Sequence, residues 1–359
     1  MSSVYKRLAE ILDRIPNGYP ATESGVELHI LEKLFSQEEA ELTCFLELEG
    51  LSPQVIAQRV GWDESKTFMM LKSLVKKGLI QAERGQGTLN FKLIPFVIGI
   101  YENQNGKMDE EFVFLFERYY KEGLHKVMDI KPAISRVIAI NAVIPMNVEV
   151  MPYESASYYI ENAKDWGVIP CICRQQKRML GEGCRHTSEN CLVFSSRPGV
   201  FEKAKDIRAL SKEEALDLLK KAGEEGLVHT VKNYQNGVDF ICNCCSCSCA
   251  ILRGISEYGH LNAVGKSGYV VSIDEGLCTG CSICVDRCQF KALQIVDGVC
   301  KKDESRCFGC GVCVLTCPTQ ALSLISRPNE TIDPLSITEK DWQEKRAVGR
   351  NDFIQDNSK

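Results

Sequence analysis

A chain of 359 residues, 44% hydrophobic and 25% charged, has the make-up of a soluble globular protein of two or three domains. Its net charge of −5 argues against bulk binding to nucleic acid or anionic membrane, and no apolar run is long enough for a membrane span. Nineteen cysteines would mean disulfides in a secreted chain. The start, MSSVYKRLAEILDRIP, lacks the apolar core of a signal peptide, so the expectation is metal in a reducing cytoplasm.

Helical spacing of Val4, Leu8, Ile11, Leu12 and Ile15 predicts a first helix, stopped by Pro16-Asn17-Gly18. Further helices are expected over Val26–Phe35 and Glu38–Leu48. Ser52-Pro53 then opens a helix to Val60, Gly61-Trp62-Asp63 turns the chain, and Glu64–Lys77 forms a longer helix stopped by Gly78. Leu79–Leu93 alternates around Gly85-Gln86-Gly87 like a two-stranded wing. The order resembles a winged helix-turn-helix domain. That resemblance implies that Ser65, Lys66, Met69 and Lys72 would face DNA, if residues 52–93 bind it. Residues 1–105 carry eleven Lys/Arg against fourteen Asp/Glu, which favours an interaction or scaffold role. The lone Cys44 reads as a core residue.

Eighteen of the nineteen cysteines lie between Cys171 and Cys317, a shift that puts a domain boundary before Cys171. A helix is expected near Glu110–Gly123, strands in Arg136–Val150 broken near Pro145, and a helix over Ser155–Trp166. Cys171 and Cys173 would share a face of an extended segment; Cys184 and Cys191 follow in a loop. Beyond a helix over Lys212–Glu225 come His229, read as a buried structural histidine, and Cys242, Cys244, Cys245, Cys247 and Cys249. Nine cysteines in two packets point to one or two further [4Fe–4S] clusters, with zinc as the alternative and thiol–disulfide exchange a third reading. Arg174, Arg185 and His186 stand beside these cysteines, either as donors to cluster sulfur or as solvated loop charges.

The densest signal is Cys278-x2-Cys281-x2-Cys284-x3-Cys288, then Cys307-x2-Cys310-x2-Cys313-x3-Cys317-Pro318. In such runs the fourth cysteine serves the other cluster. One [4Fe–4S] centre would take Cys278, Cys281, Cys284 and Cys317, and the other Cys307, Cys310, Cys313 and Cys288. Asp274–Leu293 repeats as Asp303–Leu322, so a pseudo-twofold pair of hairpins and helices is expected. The segment resembles the bacterial two-cluster ferredoxin domain, with Gln289 where that family usually has proline. Cys300 lies between the halves as a free thiol that no cluster rule needs. The whole order also resembles a group of large anaerobe ferredoxin-type proteins, which implies iron–sulfur binding and no particular substrate.

After Ile325 the chain turns polar, with a helix packed on the surface expected over Thr338–Val348 and disorder at the end. No recognisable nucleotide, flavin or haem motif occurs, so electrons are expected to pass through partner proteins. The expected architecture is α+β: a winged-helix-like region (1–105), a cysteine-rich α/β domain (106–265), a two-cluster ferredoxin module (266–326) and a polar tail (327–359). The expected function is electron relay between a soluble redox partner and a redox enzyme. A reductase with a catalytic central cluster and a redox-sensing winged-helix regulator are the alternatives.

Overall fold

The computed structural model of the chain describes residues 3–85, 87–140, 152–328 and 333–356. Helices and strands are mixed, and the chain divides into two compact units, Met1–Val127 and Met128–Lys359.

The first unit contains α1 (Ser3–Arg14), α2 (Val26–Leu34), α3 (Gln37–Thr43), α4 (Pro53–Val60), α5 (Glu64–Lys77), the hairpin β1 (Gln81–Arg84) and β2 (Leu89–Lys92), and α6 (Glu110–Glu122). Local chemistry sets most boundaries. Ser36 and Glu39 make a capping box on α3, Ser52 caps α4 with Pro53 in its first turn, and Asp63 caps α5. Gly61 and Gly78 end α4 and α5 in left-handed backbone. Helix α3 stops at Thr43 rather than Leu48, because the Glu47 carbonyl accepts from Leu93 N–H and Leu51 pairs with Phe91. The boundary expected at residue 105 falls inside this unit. Helix α6 buries Phe112, Phe116 and Tyr119 in an aromatic core where Tyr101 stacks on Phe116 at 3.9 Å.

The second unit is built on a seven-stranded sheet. In chain order it comprises β3 (Ser135–Val137), α7 (Ala156–Asn162), β4 (Asp165–Pro170), α8 (Ile172–Met179), β5 (Glu189–Ser195), β6 (Arg208–Leu210), α9 (Lys212–Glu224), β7 (Val228–Lys232), β8 (Phe240–Cys244), α10 (Ala250–Tyr258) and β9 (Val264–Gly265). The sheet order is β6-β4-β5-β8-β7-β3-β9. Pairing is antiparallel except between β3 and β9. Side chains alternate across a strand. Val168, Leu192, Phe194, Val231 and Ile241 therefore form one apolar face, packed with Ala156, Ile160, Ala215 and Leu219 of α7 and α9. The same alternation puts Cys191 of β5 and Cys242 and Cys244 of β8 on the opposite face. Helix α7 ends at Asn162, short of the expected Trp166, which pairs in β4 with Phe194. The later part of the Arg136–Val150 passage, with its break at Pro145, lies outside the described residues, as do residues 357–359 of the tail expected to be disordered.

The same unit continues through β10 (Tyr269–Ile273), α11 (Ile283–Arg287), β11 (Leu293–Val296), β12 (Val299–Lys302), α12 (Val312–Leu315) and β13 (Leu322–Ser326). β10 pairs with β13 and β11 with β12, so each half lends one strand to each ribbon. The repeat extends to the backbone: Gly280, Ser282 and Lys291 take positive φ, and so do Gly309, Gly311 and Gln320 at the matching positions.

The tail is part of the fold. Helix α13 (Glu339–Asp356) buries Trp342, Arg346 and Arg350. Trp342 Nε1 donates to the Ala133 carbonyl at 2.9 Å, and Arg346 donates to Ile130 and Pro132 carbonyls at 2.6 Å. A side chain on Gly349 would overlap the Lys131 carbonyl, so the helix lies directly on this backbone. A helix packed on the surface is expected over Thr338–Val348; it runs on to Asp356 and docks largely through polar side chains that bond main-chain oxygens.

Candidate metal centres

The repeated C-terminal segment brings its cysteines together in two sets. Cys278, Cys281, Cys284 and Cys317 line one cavity of about 330 Å³, counting space open to solvent, with Ile295, Cys300 and Leu322 on its wall. Backbone donors face these sulfurs. The Cys300 N–H points at Cys278 Sγ at 3.3 Å, and, against its burial, the Thr319 hydroxyl and then the amides of Leu322, Ala321 and Thr319 lower the Cys317 thiol. In the second set, burial pushes Cys310 up to about 12, and Cys288 and Cys307 add repulsion. Cys313 is raised for the same reasons by burial, Cys310, Cys288 and Cys307. Cys288 also accepts the Ala292 N–H at 3.3 Å. Four thiols so close together, Cys307 and Cys313 of them buried, are a poor core and a sound donor set for a polynuclear cation. The residues present fit a cube in each half.

The two sets differ in exposure. Cys281 is exposed, next to the exposed apolar Leu277 and Ile283, whereas Cys307 and Cys313 are buried. The second set also sits against the rest of its unit: the Cys310 carbonyl accepts from Ile140 N–H at 3.1 Å, and Arg327 clamps the Tyr269 and Cys307 carbonyls.

Cys300, read from sequence as a thiol without a role, stands 3.6 Å from Cys284 Sγ at full burial. Burial, then Cys284, pushes it up to about 12, so it keeps its proton and donates once Cys284 is a thiolate. Its position in the repeat matches Val271, another buried site, and that was the available signal. Such a bond favours the more negative, reduced state of a cluster. Cys300→Ala is expected to make the potential of the first centre more negative by up to about 40 mV, the equivalent of one hydrogen bond of about 1 kcal/mol. A potentiometric titration read by EPR checks this.

The nine central cysteines divide into six and three. Thiol neighbours close a ring: Cys171 interacts with Cys173 and Cys191, Cys191 with Cys242, Cys242 with Cys244, Cys244 with Cys249, and Cys249 with Cys173. Four parts of the chain supply them: the β4–α8 junction, β5, β8 and the start of α10. Cys171 is the N-cap of α8 and Cys249 that of α10, so two helix N-termini meet the ring, where their dipoles favour thiolates. The Cys171–Ile172–Cys173 segment is thus a helix start, not an extended strand. Cys184, Cys245 and Cys247 form the second group, with Sγ atoms all within 4.8 Å of one another.

Polar residues hold this arrangement. Arg174 is fully buried and donates to the Thr187 carbonyl (3.0 Å), Asn190 Oδ1 (2.7 Å) and the Asn243 carbonyl (2.6 Å). Among the described residues no carboxylate pairs with it. Burial works against its charge, yet Cys171, Cys245 and Cys244 thiolates hold it more firmly protonated than usual. A buried guanidinium so placed needs anions nearby. Cys245 in turn is lowered to about 5, first by Cys247, with Arg174 favouring the thiolate against burial. His229 bonds the Asn243 side chain between Cys242 and Cys244, and burial depresses it to about 4, so it is neutral and structural as expected. His186 lies 3.9 Å from Glu225 rather than in the ring, and Arg185 is exposed in the loop beside Cys184.

Gln289 is the other residue with an unforeseen role. Its Oε1 accepts from both the N–H and the hydroxyl of Ser246 at 2.9 Å, and its Nε2 donates to the Gly226 carbonyl at 3.0 Å. The departure from proline therefore ties the turn after Cys288 to the loop between Cys245 and Cys247. In the first unit, Ser65, Lys66, Met69 and Lys72 are exposed on α5, but Lys66 pairs with Glu38 at 2.9 Å and lies over Trp62. Cys44 is buried, and burial raises it to about 11, as suits a core thiol.

Residues 271–294 and 301–323 match the family described as 4Fe-4S binding domain. The two matches are the two halves of the repeat, so this segment is a ferredoxin-type iron–sulfur module with the capacity for electron transfer. No curated protein and no solved structure matches the chain. No helix among the described residues is long and apolar enough to cross a membrane.

Proposed function

We propose that the chain relays single electrons between a soluble redox partner, met at the exposed Cys281 edge, and a centre held by the six-thiol ring. Cys278, Cys281, Cys284 and Cys317 would hold one [4Fe–4S] cluster, Cys307, Cys310, Cys313 and Cys288 another, and the ring a further polynuclear iron–sulfur centre. Bound there, the clusters supply one-electron redox chemistry; the chain supplies thiolates, N–H donors and burial. Leu277, Cys281 and Ile283 give the module an exposed face on which a partner can dock. Burial of Cys307 and Cys313 turns the other set inward. Arg174 offsets the charge of the central thiolates.

The observation that carries this reading is the Gln289 bridge, which ties the turn after Cys288 to Ser246, in the stretch that joins the ring residues Cys244 and Cys249. Gln289→Ala removes those bonds without touching a thiol. After a substoichiometric pulse of a one-electron reductant, rapid freeze-quench EPR is expected to show the central signal rising about tenfold more slowly in this variant, with iron content unchanged. A wild-type protein whose central signal never responds to reduction of the module would rule the relay out.

A further inference from the structure

The ring and the three-thiol group differ in a way that fixes what each can hold. Thiolates around a cube each bind a different iron, so they stand farther apart than thiolates on one ion. The ferredoxin cysteines supply an internal control. Among the described residues, no three of the eight have sulfurs all within 4.8 Å of one another, and no three of the six ring thiols do. Cys184, Cys245 and Cys247 do meet that spacing. Bonds of about 2.3 Å from one tetrahedral zinc put its sulfurs about 3.8 Å apart. Cys184 Sγ and Cys245 Sγ are 3.9 Å apart.

We propose that Cys184, Cys245 and Cys247 form a separate mononuclear site for a zinc-class ion, with a fourth position open to an exchangeable ligand. Cys184 comes from the loop after α8, Cys245 and Cys247 from the turn after β8. Cys245 is buried against Ala222 and Leu227, which anchors the site. Cys247 is exposed, so solvent reaches the ion from that side. The Ser248 hydroxyl lies 3.5 Å from Cys184 Sγ, within reach to donate to a thiolate there. Three thiolates and an open position are the donor set of zinc sites that bind a small thiol or water, not of closed structural sites. Such an ion carries no electron, so this site is distinct from the relay.

The test compares wild type with Cys247→Ala as full chains purified anaerobically, with zinc and iron counted per chain. Wild type is expected to hold one zinc, and the variant to lose it at least tenfold while iron and the cluster EPR signals stay unchanged. Loss of about four irons with a cluster signal would show that the three thiols hold a cube, and wild type with no zinc would equally overturn the proposal. Should the variant not fold, chelator treatment of wild type serves: zinc leaving with iron retained supports the site, and iron leaving first contradicts it. Cobalt(II) in place of zinc reads the open position. Its visible spectrum should shift on adding β-mercaptoethanol, and an unmoved spectrum would close that position. A ring without iron would sink the relay and leave this zinc count as it stands.

Discussion

Arg174→Leu is expected to strip iron from the central ring while the ferredoxin module stays loaded. The wild-type guanidinium bonds three uncharged oxygens and stands among Cys171, Cys244 and Cys245. Leucine leaves the Thr187 and Asn243 carbonyls and the Asn190 side chain without this donor, and leaves the thiolate charge without its buried cation. Removing one partner of a buried charged set costs about 3–5 kcal/mol. The expected result is loss of about four or more irons per chain, with the interacting signals of the module intact. Arg174→Lys keeps the charge without the planar fork and should fall between. Full iron content and an unchanged melting temperature in the leucine variant would refute this role.

Gly309→Ala is expected to be as damaging, at the other end of the unit. Gly309 lies between Cys307 and Cys310 at φ +72, where an L-residue pays about 1–2 kcal/mol. The added methyl would also overlap the Tyr269 carbonyl and the Ser267 hydroxyl, and the carbonyl is main chain that cannot step aside. Together these amount to about 4 kcal/mol or more, localised where two thiols of the second set are aimed. Thermal unfolding should shift sharply downward and the second centre should be lost. Gly276→Ala is the control: its Cβ would meet only Asp274 Oδ1 at 3.3 Å, and it should be nearly silent.

The module was legible because its ligands are local. Two-residue spacings, a 29-residue repeat and glycines at matching positions specify the turns, and Cys278, Cys281, Cys284 and Cys317 line one cavity. The helices of residues 53–77 were legible for the same reason, through the Ser52-Pro53 start and the stops at Gly61 and Gly78. The division of the central cysteines was not, because the ring joins four stretches of chain that only the sheet order brings together. Alternation in β5 and β8 already set Cys191, Cys242 and Cys244 opposite Leu192 and Ile241. Which strands are neighbours is a non-local fact. Helix α13 was legible as a helix packed on the surface but not in its full length or its contacts, because it docks by arginine-to-carbonyl bonds and a glycine contact, which leave no apolar stripe. Helix α6 joined the first unit because its aromatics complete a core with Phe96, Tyr101 and Tyr19, the last of them far away in sequence.

The most direct measurement is iron per chain in anaerobically purified full-length protein, combined with EPR of the reduced state. The relay requires about twelve irons or more: eight in the module with mutually interacting signals, and at least four in a distinct centre that vanishes in Arg174→Leu. A count of eight, with no signal beyond the module's coupled pair, would contradict it and reduce the central ring to a structural element.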